Sequence, residues 1–224
     1  VSLLDHPTAE LLAMPNPYDW RARLDQQVSF AWDVSLYKDK YYLYWGPVPA
    51  LMAAGVKVIR PVRLDDATLV LFFYAGLILF VALILAHMRR RLFSDSPAWL
   101  ILPLVLFGGL SAPMMWLVNR PNVYETAITG GQFFLLGGLF CLLRAMDSKS
   151  QSRGWLLTAG FAWGAAVGCR LNLAFSIGFF VFVFALYRLK TSSFNQWISS
   201  MIYLTTPLLL WAGGLGWYNL ARFG

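Results

Sequence analysis

The pattern of apolar and polar positions changes at residue 47. Residues 1–46 mix charged, polar and apolar side chains with weak periodicity and contain Pro7, Pro15 and Pro17. That predicts a loop region with one short helix near residues 7–13, capped at its start by Asp5 or Thr8. Asn16-Pro17, within NPYDW, predicts a turn. The run DVSLYKDKYYLYWGPVP (33–49) is polar and dense in tyrosine, which suits a membrane–water interface, where a ring rests among headgroups and its hydroxyl stays wet. Pro47 and Pro49 end whatever precedes them and let a helix begin. Residues 49–60 form an apolar run shorter than the roughly 20 residues a bilayer span needs. It ends on Lys57 and Arg60, which predicts an interfacial or partly inserted helix. Six longer apolar runs follow, at 68–87, 98–118, 123–143, 155–169, 171–187 and 198–220. The fourth and fifth are short and meet at Arg170, either as two short spans or as a re-entrant element.

Composition sharpens the class. Of 224 residues 58% are hydrophobic and 13% charged, against about 25% charged in soluble domains. The chain therefore reads as an integral membrane protein. The net charge of +7 would suggest nucleic acid in a soluble protein, but here much of the excess lies in short loops. Arg89, Arg90, Arg91, Arg144, Lys149, Arg153, Arg188 and Lys190 fall on one side of the six runs, and Arg120, Arg170 and Arg222 on the other. The positive-inside rule then puts the triple arginine in the cytoplasm and residues 1–67 outside. The predicted fold is all-α: a polytopic transmembrane bundle of about six spans (68–224) after an exoplasmic loop region with a juxtamembrane helix (1–67). No apolar run precedes residue 47, so an upstream transmembrane helix is expected to have exported this segment, and the chain to be a fragment.

Gly160, Gly164 and Gly168 line one face of the fourth run, a small-xxx-small pattern read as close helix packing, as are the glycine pairs at 108–109, 130–131 and 137–138. Cys141 and Cys169 are expected near opposite membrane faces, without a disulfide. Neither they nor His6 and His87 have metal-ligand spacing.

Ionisable groups at membrane depth mark functional sites. Glu125 is the one carboxylate inside a predicted span, one turn into the third. It reads either as an anion at a helix N-terminus, paired with Arg120, or as part of a substrate cavity. Arg170 reads as a snorkelling arginine or as a bidentate phosphate ligand. Asp19, Asp33 and Asp39 are each a base or metal-ligand candidate against a turn or cap reading, Asp33 standing out beside the aromatic run. Tyr41, Tyr42, Tyr44 and Trp45 are candidates for a sugar or lipid platform against an interfacial belt. The aromatic loop, Glu125 with Arg120, and Arg170 are all expected on the outer face.

The order WDVSLYKDKYYLYWGPVPAL, short helix, span ending in arginines, NRPNVYE and GCRLN resembles bacterial members of the GT-C superfamily. These are multi-pass glycosyltransferases related to protein mannosyltransferases and lipid A aminoarabinose transferases. Their loop of the form aromatic–Lys–Pro-Pro–Leu–aromatic looks like KYYLYWGPVPAL (40–51), with Pro47 and Pro49 split by Val48. Glu125 corresponds loosely to their later acidic residue, and Arg170 to the basic residue of the following hairpin. The resemblance implies sugar transfer from a polyprenyl-phosphate carrier to a glycan, lipid or protein acceptor, at the periplasmic face of the bacterial inner membrane. Such transfer needs a carboxylate to take the acceptor proton and cations to hold the departing phosphate. Glu125 and Asp33 are the carboxylates offered, although the family's catalytic acid lies in the first external loop, soon after its first transmembrane helix, so the base is expected upstream of this sequence. Arg120 and Arg170, then Lys57 and Arg60, are the cations, and Tyr41, Tyr44 and Trp45 the platform. No cofactor is recognisable; the superfamily admits a divalent metal, for which no ligand set is present. Activity is expected of the full-length parent. The rival readings are a transporter subunit, with Glu125 and Arg170 on the substrate path, and a non-catalytic scaffold.

Overall fold

The structure, a computed structural model, describes residues 6–29, 34–42, 45–59, 64–147 and 152–223. Asp5, Asp33, Tyr44, Arg60 and Lys149 lie outside them.

The N-terminal region holds more regular structure than its periodicity predicts. Helix α1 (Ala9–Ala13) is capped by Thr8, whose hydroxyl accepts the Leu11 N–H at 3.2 Å. Asn16 makes the expected turn, its side chain accepting the Tyr18 amide at 3.0 Å. A second helix, α2 (Trp20–Asp25), was not anticipated; Asp19 caps it by accepting from the Arg21 and Ala22 amides. Strands β1 (Ser35–Tyr37) and β2 (Lys40–Tyr42) form an antiparallel hairpin in the register Leu36↔Tyr41. It turns through Lys38 and Asp39, both left-handed (φ 44° and 62°), the geometry two-residue hairpin loops favour. Asp19 and Asp39 thus serve as cap and turn.

Helix α3 (Val48–Ile59) matches the predicted juxtamembrane helix. Val48, Pro49 and Ala53 are buried, while Leu51, Val56, Val58 and Ile59 are exposed. Helix α4 (Asp66–Leu92) begins at Asp65, whose carboxylate accepts from the Thr68 amide and hydroxyl. Those bonds, the hydroxyl's first, hold the Asp65 carboxyl below the ordinary carboxylate range. A depressed folded-state pKa adds stability above the unfolded value that is lost as pH falls through the folded one. The difference in thermal midpoint between wild type and Asp65→Ala is therefore expected at neutral pH and absent near pH 2.

The second apolar run is not one straight helix. A 3-10 turn (Ala98–Leu100) and α5 (Ile101–Gly109) are followed by α6 (Ala112–Asn119), bent by 58°. Pro113 is the cause. It has no N–H to give the Gly109 carbonyl, and its ring would clash there in a continuous helix. The freed Gly109 carbonyl instead accepts the Tyr74 hydroxyl of α4.

Helices α7 (Val123–Asp147), α8 (Ser152–Cys169), α9 (Leu173–Thr191) and α10 (Phe194–Phe223) complete the chain. Among the described residues four helices, α4, α7, α9 and α10, are long and apolar enough to cross a membrane, with a fifth span if α5 and α6 count as one. Large apolar side chains such as Phe107, Phe175, Phe179, Phe182, Leu209 and Leu210 face outward, the surface lipid contact calls for. Helix α8 is shorter and richer in polar and small residues, and it is packed between α7 and α10. Trp163 is fully buried, stacks on Phe180 and donates its indole N–H to the Leu135 carbonyl at 3.1 Å. The glycine stripe does what its spacing predicts. A Cβ at Gly160 would lie 2.2 Å from the Leu204 carbonyl oxygen of α10, and one at Gly164 would strike Trp211. Gly130, Gly131, Gly137 and Gly138 likewise receive neighbouring side chains, whereas Gly108 faces open space. Cys141 and Cys169 are free and buried.

The bundle has two distinct ends. At one, Tyr37 donates to the Phe223 carbonyl at 2.9 Å, docking the hairpin on the end of α10. At the other, Arg91 pairs with Asp147, Arg144 lies over Trp155, and Arg153 lies over Tyr203.

Candidate functional site

The hairpin end carries the constellation of interest, and Gly46 assembles it. Its N–H donates to the Cys169 carbonyl at 3.3 Å, and a Cβ there would sit 1.9 Å from the Gly168 carbonyl oxygen. Backbone meets backbone, so the Gly-Pro-x-Pro turn is pressed onto the last turn of α8. The next residue of α8's exit is Arg170, whose amide still bonds the Ala166 carbonyl at 3.0 Å, fixing where its side chain departs.

The Arg170 guanidinium lies between two rings, its Cζ 5.5 Å from the Trp45 centroid and 5.0 Å from that of Tyr124. The rings meet edge to face at 4.8 Å. Cation–π contacts of this kind contribute about 0.5–2 kcal/mol each, rising with desolvation. They act through the ring faces and leave guanidinium N–H groups to donate. Among the described residues the Arg170 side chain has no hydrogen bond or ion pair. It is half-buried and open to an anion.

Tyr124 and Glu125 occupy the first turn of α7. Glu125 is only 4% exposed, and its Oε2 has no hydrogen-bond partner. Thr129 donates to the Glu125 backbone carbonyl at 2.8 Å, not to the carboxylate. An unsatisfied buried carboxylate oxygen is costly and calls for a partner that arrives with a ligand or water.

The other predicted residues are placed differently. Arg120 closes α6, is exposed and forms no ion pair with Glu125 among the described residues, so the expected pairing is absent. Lys57 is exposed in the last turn of α3. The aromatic run is divided rather than gathered into one platform, because successive strand residues point to opposite faces. Tyr41 packs with Leu36 on the small core of Leu11, Met14 and Val28. Tyr42 contacts Phe223, with Arg222 over its ring. Trp45 alone of the described platform residues reaches Arg170.

Beside this cluster runs an apolar groove of about 430 Å³ between α3, α8 and α10, lined by Pro47, Leu51, Phe161, Pro207, Trp211 and Leu215. Pro47 adjoins Gly46, so the groove begins next to the contact that positions Arg170. Comparison of the chain with protein-family models, curated proteins and solved structures finds no match. Function must therefore be argued from the site itself.

Sequence reasoning passed over Tyr124 and the groove. The signal for Tyr124 was its place beside Glu125 at the start of an apolar run. The signal for the groove was the recurrence of Pro207, Leu210, Trp211 and Gly214 at helical spacing. Among the described residues no three His, Cys, Asp or Glu side chains come together as a metal would need.

Proposed function

We propose that the chain belongs to a membrane glycosyltransferase of the GT-C kind, moving a sugar from a polyprenyl-phosphate-linked donor to an acceptor hydroxyl. The observation that carries this reading is the Arg170 guanidinium, held between Trp45 and Tyr124 and without an ion pair among the described residues, with an apolar groove that starts at Pro47 beside the Gly46 contact. A charged phosphate attached to a long isoprenoid tail needs that pairing of a cation with a greasy channel. In this reading the tail lies in the groove and Arg170 donates to the phosphate. The acceptor oxygen attacks the anomeric carbon as its proton passes to a carboxylate. The anomeric C–O bond breaks, and the bonding pair leaves on the polyprenyl phosphate, whose charge Arg170 stabilises. Glu125 is the proton acceptor among the described residues, with Asp33 the further candidate. Residues 1–67 then face the periplasm of a bacterial inner membrane, and about six spans lie beyond, α8 and the bent α5–α6 pair among them. The outward apolar surfaces and the gathering of Arg91, Arg144 and Arg153 at the opposite end support that orientation.

The test uses the full-length protein in membranes with radiolabelled polyprenyl-phosphate sugars. Arg170→Ala is expected to lower transfer by about 10²–10³-fold, the range for removing one transition-state donor. Arg170→Lys keeps the charge but loses the bidentate fork, and should fall between. Transfer by Arg170→Ala at the wild-type rate would refute the assignment. If no donor in a broad panel is turned over, the transporter reading takes its place.

A further inference from the structure

The larger cavity lies at the other end of the bundle and is independent of sugar transfer. It measures about 710 Å³ and opens between the last turn of α7, the first turn of α8, the end of α9 and the start of α10. Its polar lining includes Arg153, Arg188, Asn195, Gln196, Ser199 and Tyr203. No acidic side chain lines it among the described residues. Arg153 lies over the Tyr203 ring, with Cζ 5.4 Å from the centroid, and makes no ion pair among the described residues. The Arg188 Nε is buried without a hydrogen-bond acceptor.

A neighbouring cavity shows what balanced arginines look like in this protein. It is smaller, about 210 Å³, and Asp147 lies within it. That carboxylate pairs with Arg91, and its Oδ2 sits 3.5 Å from His87 Nε2. The larger cavity has two guanidinium groups and, among the described residues, no such counter-charge. Leaving a buried guanidinium nitrogen unpaired is costly unless an anion completes it.

The rim indicates which anion. Tyr187, Phe194 and Ile198 are exposed beside the mouth, and Trp197 sits against α9, donating its indole N–H to the Ala185 carbonyl at 3.1 Å. Aromatic residues at the end of membrane-length helices mark headgroup depth. Inside, Leu156 and Phe184 supply an apolar floor beneath the polar lining. An occupant with a phosphate and hydrocarbon in one molecule meets both surfaces, and basic pockets between transmembrane helices at their basic end hold anionic headgroups. We infer that this cavity binds the phosphate headgroup of an anionic phospholipid, with Arg153 and Arg188 as its cationic ligands.

The test uses the full-length protein, purified and delipidated in detergent, with binding read by native mass spectrometry and by titration. The probes are phosphatidylglycerol, phosphatidylcholine and soluble glycerol phosphate. Wild type should favour phosphatidylglycerol over phosphatidylcholine by about tenfold or more, as charge-assisted arginine–phosphate bonds would give. Arg153→Gln with Arg188→Gln should abolish that preference while leaving phosphatidylcholine binding alone. The double lysine variant keeps both charges and should retain most of it, so a collapse of the fold is distinguished from loss of the site. Equal binding of the two lipids by wild type would overturn the inference, as would an unchanged preference in the glutamine variant. Tight binding of glycerol phosphate without phosphatidylglycerol selectivity would assign the site to a soluble anion and overturn the lipid as its occupant.

Discussion

Glu125→Gln is expected to lower sugar transfer by the full-length protein by about 10²–10⁴-fold, the usual worth of a positioned general base. The substitution is chosen because it changes so little else. Glutamine matches glutamate in size, fits the same buried pocket and keeps an acceptor oxygen. What it loses is the capacity to take a proton. The carboxylate lies in the first turn of α7, where a helix N-terminus favours an anion by about 0.3–1 kcal/mol. If that were its whole task, the variant would be slightly less stable and transfer would persist. The unpartnered Oε2 argues otherwise, since a capping carboxylate would spend its oxygens on backbone amides. Donor binding should be nearly unchanged, because the phosphate is assigned to Arg170. A fall in kcat with a steady donor KM is therefore the signature, measured at matched expression. Normal turnover by Glu125→Gln would remove it from the chemistry.

Gly46→Ala should cost nearly as much by a different route. The new methyl would lie 1.9 Å from the Gly168 carbonyl oxygen, and that neighbour is backbone in a packed helix, which cannot swing aside. The loop must lift, losing the Gly46–Cys169 hydrogen bond and carrying Trp45 away from Arg170. Overpacking of this sort costs about 1–3 kcal/mol. A displacement of an ångström in a positioning group can cost about 10²-fold in rate. The helical core centred on Trp163 is built from α7, α8, α9 and α10, so helix content should survive. Gly55→Ala is the control, since nothing lies within 4 Å of a Cβ there. It should hold activity and gain about 0.5–1 kcal/mol, as helical glycine to alanine does. Loss in Gly46→Ala with retention in Gly55→Ala, compared by transfer assay and circular dichroism, is the expected pair. Wild-type transfer by Gly46→Ala would show that this contact does not organise the site.

How far the chain discloses this arrangement depends on how local each feature is. The apolar runs give the helices because each carries its own periodicity, and the glycine stripe of α8 announces a close neighbour without saying which. The bend between α5 and α6 was written in Gly109 and Pro113, yet an unbroken apolar run masks a hinge. The hairpin was missed because tyrosine-rich polar sequence reads equally as loop, and with it went the alternation that sends Tyr41 and Tyr42 to different partners. Arg170 and Glu125 stood out as charges at membrane depth. Their surroundings did not, since the meetings of Trp45 with Tyr124 and of Gly46 with Gly168 join segments remote in sequence.

The placement of α8 has a consequence for biogenesis. Its four glycines, Ser152, Arg153 and Thr158 make it a poor candidate to partition into lipid unaided, and it owes its position to neighbours that notch around it. Its α10 partner surface, Leu204 through Trp211, emerges from the ribosome more than thirty residues after Cys169. Until then α8 has α7 as its main partner, with smaller contacts to α3 and α9, so the insertion machinery would have to retain this segment, or pass it on paired with α7, while synthesis continues. Crosslinking of stalled nascent chains to the translocon should persist for α8 after α4 has already been released into the bilayer.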